Sequence, residues 1–185
     1  MTTPNDAPDS DGAISFIDYR IVEAPPPPPA VKRLYLDIAR GCEGSHPAQW
    51  TECLLFFKRI ERIAYAERCY LNAPEPPTWM EAPSRVVGAL TALRDVMAGL
   101  NGGRPWYSVV VTLNPQHELR FEFDHDHLPD FDVVPEPHLW HLEFTRYPRP
   151  DLQVHVQDWM DGSVPPERAA EVTQRLADLR AADAD

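Results

Sequence analysis

The densest run of side chains able to do chemistry is Asp124-His125-Asp126-His127, with Asp130 and Asp132 close behind. Carboxylates and imidazoles together can hold zinc, manganese or iron. If the preceding strand continues through the run, however, alternation places Asp124 and Asp126 on one side and His125 and His127 on the other. That divides the donors. His138 and His141 lie three apart and help only if the loop folds back. A metal-dependent enzyme centred on His125, Asp126 and His127 is therefore an alternative reading and not the leading one, and no cofactor is expected. Other chemistries have less to stand on. There is no G-x-S-x-G elbow and no phosphate-cradling glycine loop. Asn101-Gly102-Gly103-Arg104 follows a helical stripe and reads as a helix stop. No cysteine sits where its thiolate would be favoured. Carboxylate pairs abound in so acidic a chain and single out nothing.

Surface remains. Between residues 118 and 143 stand Glu118, Glu122, Asp124, Asp126, Asp130, Asp132, Glu136 and Glu143, with Arg120 the sole Lys or Arg among them. Phe131, Trp140 and Tyr147 are interleaved or adjacent. Acids around aromatic anchors make a protein-binding patch, because charge steers encounter and desolvated rings supply affinity. The expected contacts are Glu122, Asp124, Asp126, Asp130 and Asp132, with Phe131 and Trp140 as anchors and Trp106 and Phe121 left to the core. The whole chain carries 29 acidic residues against 17 Lys and Arg, a formal charge of -12. Such a balance excludes a nucleic-acid partner, which demands a basic surface, and favours a basic protein.

The elements that must position this patch follow from periodicity. Tyr107, Val109, Val111 and Leu113 alternate with polar and smaller residues. Asn114-Pro115-Gln116-His117 is a turn, and Leu119, Phe121 and Phe123 alternate with Arg120, Glu122 and Asp124. This predicts a β-hairpin from Trp106 to Asp124 with one buried face. Val86, Leu90, Leu93, Met97 and Leu100 form a helical stripe before it, and Val31, Leu34, Tyr35, Ile38 and Cys42 form another, which Gly41 and Gly44 are suited to end. Thr51 to Phe57 and Ile63 to Leu71 suit two paired strands, although Arg62 to Arg68 also has the composition of a helix. Leu139 to Phe144 and Leu152 to Val156 read as further short strands, and Arg168 to Arg180 as an amphipathic helix with Ala169, Val172, Leu176 and Leu179 on one side. The fold class is α+β, an antiparallel sheet with helices packed on one face.

Residues 1–29 read as a flexible acidic and proline-rich leader, 30–160 as the α+β domain, and 161–185 as a C-terminal helix and tail. Within the leader, Ile14 to Glu23 has the character of a short strand. Pro25 to Pro29 is a polyproline II spacer, or alternatively the docking site of an interaction adaptor. Met1 to Gly12 has neither the basic nor the apolar stretch of a signal peptide, and no stretch is long enough for a membrane span. Cys42, Cys53 and Cys69 are odd in number and widely spaced, so buried, reduced thiols in a cytoplasmic protein are expected.

Arg104-Pro105-Trp106-Tyr107-Ser108-Val109-Val110-Val111-Thr112-Leu113, followed after the turn by Leu119-Arg120-Phe121-Glu122-Phe123-Asp124-His125-Asp126, resembles the YezG-like immunity proteins of bacterial polymorphic-toxin systems. The resemblance extends over residues 30–147, with a long helix before the hairpin and an earlier helix and two strands before that. The chain departs from the family pattern at Phe123 and His125, where tyrosines are common, in its proline-rich leader, and in its extension past Arg149. The resemblance implies a cytoplasmic, non-catalytic protein that occludes a cognate toxin, such as a nuclease or another hydrolase.

Overall fold

In the computed structural model the described residues are 18–23, 25–42, 46–73, 77–162 and, in the closing segment, 168, 171, 172, 174, 176 and 178. Two hairpins build the sheet. Strands β2 (Glu52–Ile60) and β3 (Ile63–Leu71) pair antiparallel along their whole length. Their turn is only Glu61 and Arg62, and Glu61 takes a positive φ of 40° to close it. Strands β5 (Ser108–Leu113) and β6 (Glu118–Asp124) form the second hairpin, in the predicted place. The Asn114 side chain closes that turn by accepting the backbone N–H groups of Gln116 and Glu118 at 3.0 and 2.9 Å, the local bonding that suits Asn to turns. β5 lies beside β2. Two-residue strands finish the sheet: β1 (Arg20–Ile21), parallel to β6, and β4 (Met80–Glu81), antiparallel to β3. The order is β1-β6-β5-β2-β3-β4, so the α+β sheet is mixed at one edge.

Helices α1 (Pro29–Cys42) and α2 (Ser84–Leu100) cover one face. Val31, Tyr35 and Ile38 of α1 and Val86, Leu90 and Leu93 of α2 meet Leu55, Phe57, Val109, Val111, Leu119 and Phe121 from the strands. Each such side chain, once buried, contributes roughly 1.5–3 kcal/mol of hydrophobic stabilisation. Tyr35 stacks on Phe121 with ring centroids 3.7 Å apart. Gly41 has a different role from the one expected. It lies inside α1, and a Cβ there would come within 2.4 Å of Val86 Cγ2, so its bareness lets α1 and α2 touch. Gly44 lies outside the described residues. The leader boundary also shifts: Tyr19 is in this core, β1 is in the sheet, and Tyr35 donates a 3.1 Å hydrogen bond to Glu23. The three cysteines are buried and form no disulfide.

A second core sits where β2 turns into β3. Residues 139–144 and 152–156 are not strands. They belong to three short helices and the turns between them: α3 (Pro137–Arg146), α4 (Pro150–Gln153) and α5 (Gln157–Met160). Pro137 and Pro150 each stand at a first helical turn, where a missing N–H costs nothing. Leu139, Trp140 and Phe144 of α3 join Ile60, Tyr107, Leu128, Phe131, Val134 and Trp159. Glu171, Val172, Gln174, Leu176 and Asp178 are helical, and Val172 and Leu176 close this core, which ties the end of the chain to the domain. Ala169 and Leu179 lie outside the described residues.

One ion pair fastens the two cores together. Arg94 of α2 is 1% exposed and Glu143 of α3 is 0% exposed. An Arg94 Nη2 to Glu143 Oε1 bond of 2.5 Å joins them. The Glu143 carboxylate also accepts the Glu61 backbone N–H at 2.6 Å, and Arg94 Nε donates to Trp106 O at 2.7 Å. No helix among the described residues is long and apolar enough to cross a membrane.

Candidate binding surface

Strand β6 leads straight into the acidic loop. Asp124 sits at its end and folds back on the next three residues: its Oδ1 accepts the N–H groups of Asp126 and His127, both at 3.1 Å, and pairs with His127 Nδ1 at 2.9 Å. Its role is local, to start the loop. His125 turns away from that pair. It bonds to the backbone of Pro105, and burial holds its imidazole below the ordinary range.

Two cations pin the loop from inside. Arg149, buried, donates to His125 O at 2.7 Å and clasps Asp151 with Nε and Nη2 at 3.0 and 2.7 Å. That bidentate bond raises the Arg149 pKa and holds the Asp151 carboxyl below its usual value. Lys58, facing inward from β2, donates to Asp130 O and lies 5.4 Å from the Phe131 ring centroid and 4.9 Å from that of Tyr65. With the His125 and Asp130 carbonyls satisfied from within, the Asp126 and Asp132 carboxylates face outward. Asp126 keeps 78% of its side chain exposed, 3.5 Å from Arg149. Asp132 and Glu122 are exposed, and Asp130 is partly so, 3.9 Å from Lys58.

The expected anchors are corrected. Phe131 is 6% exposed and Trp140 is 0% exposed, both inside the second core. Phe131 is held beneath the loop by Lys58, and Trp140 lies on the inner face of α3 with Phe144 stacked beside it at 6.1 Å. A side chain without exposed area cannot grip a partner. The structure thus brings Asp126, Asp130 and Asp132 onto one loop, with Glu122 on the strand before it, and separates the aromatics from them. Trp106 and Phe121 are core residues, as expected.

Sequence reasoning missed Lys58 and Arg149. The signals were a lone lysine in the apolar run Leu54-Leu55-Phe56-Phe57-Lys58, and an arginine between Pro148 and Pro150. Beside the loop, a hollow of about 430 Å³ is floored by Ile63, Val134 and Leu139 and rimmed by Arg62, Glu136 and His138.

The histidines do not converge. His127 faces Asp124, His125 faces Pro105, and Asp126 faces Arg149. Among the described residues no three His, Cys, Asp or Glu side chains are gathered to hold a metal ion. The proline run ends in α1, whose first residue is Pro29, and Pro28 O accepts the Lys32 N–H at 2.9 Å, so the run leads into a helix. Comparison with protein-family models gives no match for this chain, and comparison with curated protein sequences gives none either.

Proposed function

We propose that this chain is an immunity protein, which neutralises a cognate bacterial toxin in the cytoplasm by binding it stoichiometrically and occluding it. One observation carries the reading: Glu122, Asp126 and Asp132 present their carboxylates outward, with Asp130 partly exposed beside them, from a segment whose backbone is pinned by Lys58 and Arg149. A pre-organised acidic surface loses little entropy on binding, and its field speeds encounter with a basic partner. The hairpin's likeness to YezG-like immunity proteins supports the same role. A toxin with a basic substrate cleft, such as a nuclease or another hydrolase, is the partner that fits. The role asks for no cofactor and no catalysis.

The test is to express the chain with a candidate C-terminal toxin domain taken from a neighbouring gene. Growth rescue and a one-to-one complex by native mass spectrometry are expected, with an association rate that falls as salt rises. Rescue without a complex, or a complex that leaves the toxin active, removes the proposal.

A further inference from the structure

The loss of Phe131 and Trp140 as anchors leaves an acidic surface without an apolar centre. The sheet supplies one. Cross-strand partners face the same side, so the pairings Glu81–Glu67, Glu67–Phe56, Phe56–Val110 and Val110–Glu122 form a single row across five strands. The row lies on the face opposite α1 and α2. Its middle is apolar and both ends are acidic. Phe56 and Val110 belong to neither core and keep part of their surface in solvent, as does Leu54 in the next row.

The dimensions matter. Neighbouring strands are about 4.8 Å apart, which puts Glu67 and Glu122, three strands apart, about 14 Å from each other. An α-helix with its side chains is about 10–12 Å across. A helix lying along β2 and β5 fits between the two acidic borders. Leu54 continues the apolar strip one two-residue step along the strand, about 7 Å, close to the 6 Å rise of four helical residues. Glu67 and Glu81 stand directly opposite each other. Like charges so placed are destabilising, and a cation brought between them would relieve the pair. Arg120, in the Leu54 row, is exposed and breaks the acidic border at that end, and at the other end buried Lys58, two residues from Phe56 on the same face, holds its ammonium 5.8 Å from the Phe56 ring.

Building on the proposed inhibitory role, we propose that the sheet face centred on Phe56 and Val110 is the docking surface, and that its occupant is a basic amphipathic helix of the partner protein. The helix presents an apolar stripe to Phe56, Val110 and Leu54. Lysines or arginines on its two flanks meet Glu122 on one side and Glu67 with Glu81 on the other.

Two probes test this separately. The first is an amidated peptide of about 15 residues, long enough to be helical, with leucines at helical spacing and lysines on both flanks. It is titrated into the ¹⁵N-labelled chain. Expected are amide shifts concentrated at Phe56, Val110 and Glu122, and affinity reduced about tenfold in Val110→Lys. Glu122→Lys, at an exposed site that leaves the fold undisturbed, should do the same, and Glu171→Lys should change nothing. Shifts spread over the whole acidic surface, confined to the 125–132 loop, or absent overturn the proposal. The second probe is the toxin domain. Full affinity for Val110→Lys and Glu122→Lys overturns this surface while leaving the inhibitory role standing. A toxin domain that the wild-type chain ignores, alongside a peptide seated on the face, overturns the role and keeps the surface. Sedimentation closes the remaining route: a mass that doubles with concentration and returns to monomer in Val110→Lys assigns the face to a second copy of the chain and overturns the helix as occupant.

Discussion

The core under α1 and α2 and the core at the end of the sheet are both built of aromatic and aliphatic side chains, but by different means. Under α1 and α2 the packing repeats with the periods of helix and strand, and the backbone is satisfied largely by its own ladders. At the end of the sheet, short helices and connecting segments meet, and their carbonyls have no ladder to join. Buried cations serve instead: Lys58 donates to Asp130 O, Arg94 to Trp106 O and Arg149 to His125 O. Irregular chain can be buried when long cationic side chains stand in for missing backbone donors, and the cost is that each cation must itself be balanced. Glu143 balances Arg94, and Asp151 balances Arg149.

The largest effect expected from this contrast comes from Glu143→Ala. It strands Arg94 in the interior and should cost about 3–5 kcal/mol, read as a lower urea midpoint. Replacing both partners, Arg94→Met with Glu143→Leu, should recover only part of that, because Trp106 O and the Glu61 N–H lose their bonds as well. Full recovery would break the idea that the pair serves the backbone. In the regular core the corresponding test is steric. Gly41→Ala drives a methyl into Val86 and should cost about 1–3 kcal/mol by calorimetry, with Val86→Ala restoring part of it.

Acid should then separate the two regions. The folded state favours neutral His125, so that residue's contribution is complete above the ordinary imidazole value of about 6.5 and fades as pH falls through its lowered folded value. Asp151, held low by Arg149, contributes above about 3.9 and fades as pH falls through its own lowered value. Hydrogen exchange should therefore quicken in residues 125–160 on mild acidification while α1 and α2 stay protected, and His125→Gln should remove the first step. Simultaneous loosening of both regions would contradict the division. The smallest effect is reserved for Asp132→Lys, at an exposed position, where unfolding free energy should change by no more than about 0.5 kcal/mol.

This contrast also explains what could be read from the sequence. α1, α2 and both hairpins were legible because Val86, Leu90 and Leu93, or Val109, Val111, Leu119 and Phe121, repeat at one period long enough to count. α3 was misread as a strand. Leu139-Trp140-His141-Leu142-Glu143-Phe144 is short, and its inward face includes a glutamate that Arg94, 49 residues away, and the Glu61 N–H make tolerable. Pro137 was the local signal for a helix start. The outward acids were legible from charge density. The fate of Phe131 and Trp140 was not, because an aromatic beside acids looks the same whether it points in or out. The row through Phe56 and Val110 depends on β2 pairing with β5, strands brought together from distant parts of the chain, and no local pattern announces that register.

The two-residue strands β1 and β4 bear on how the molecule behaves in a crowded solution. A six-stranded sheet has two open borders, and each is a template on which another chain could add a strand. Here each border begins with a two-residue strand that carries a charge, Arg20, paired with Glu118, at one and Glu81 at the other, and these strands cover only Glu118 and Leu119 of β6 and Glu67 and Arg68 of β3. Past β1, strand β6 exposes Arg120 and Glu122, charges that oppose an added strand. A protein whose sheet face keeps an apolar strip partly in solvent therefore meets strand addition with charged borders, and concentrated solutions should stay clear and unstained by amyloid dyes.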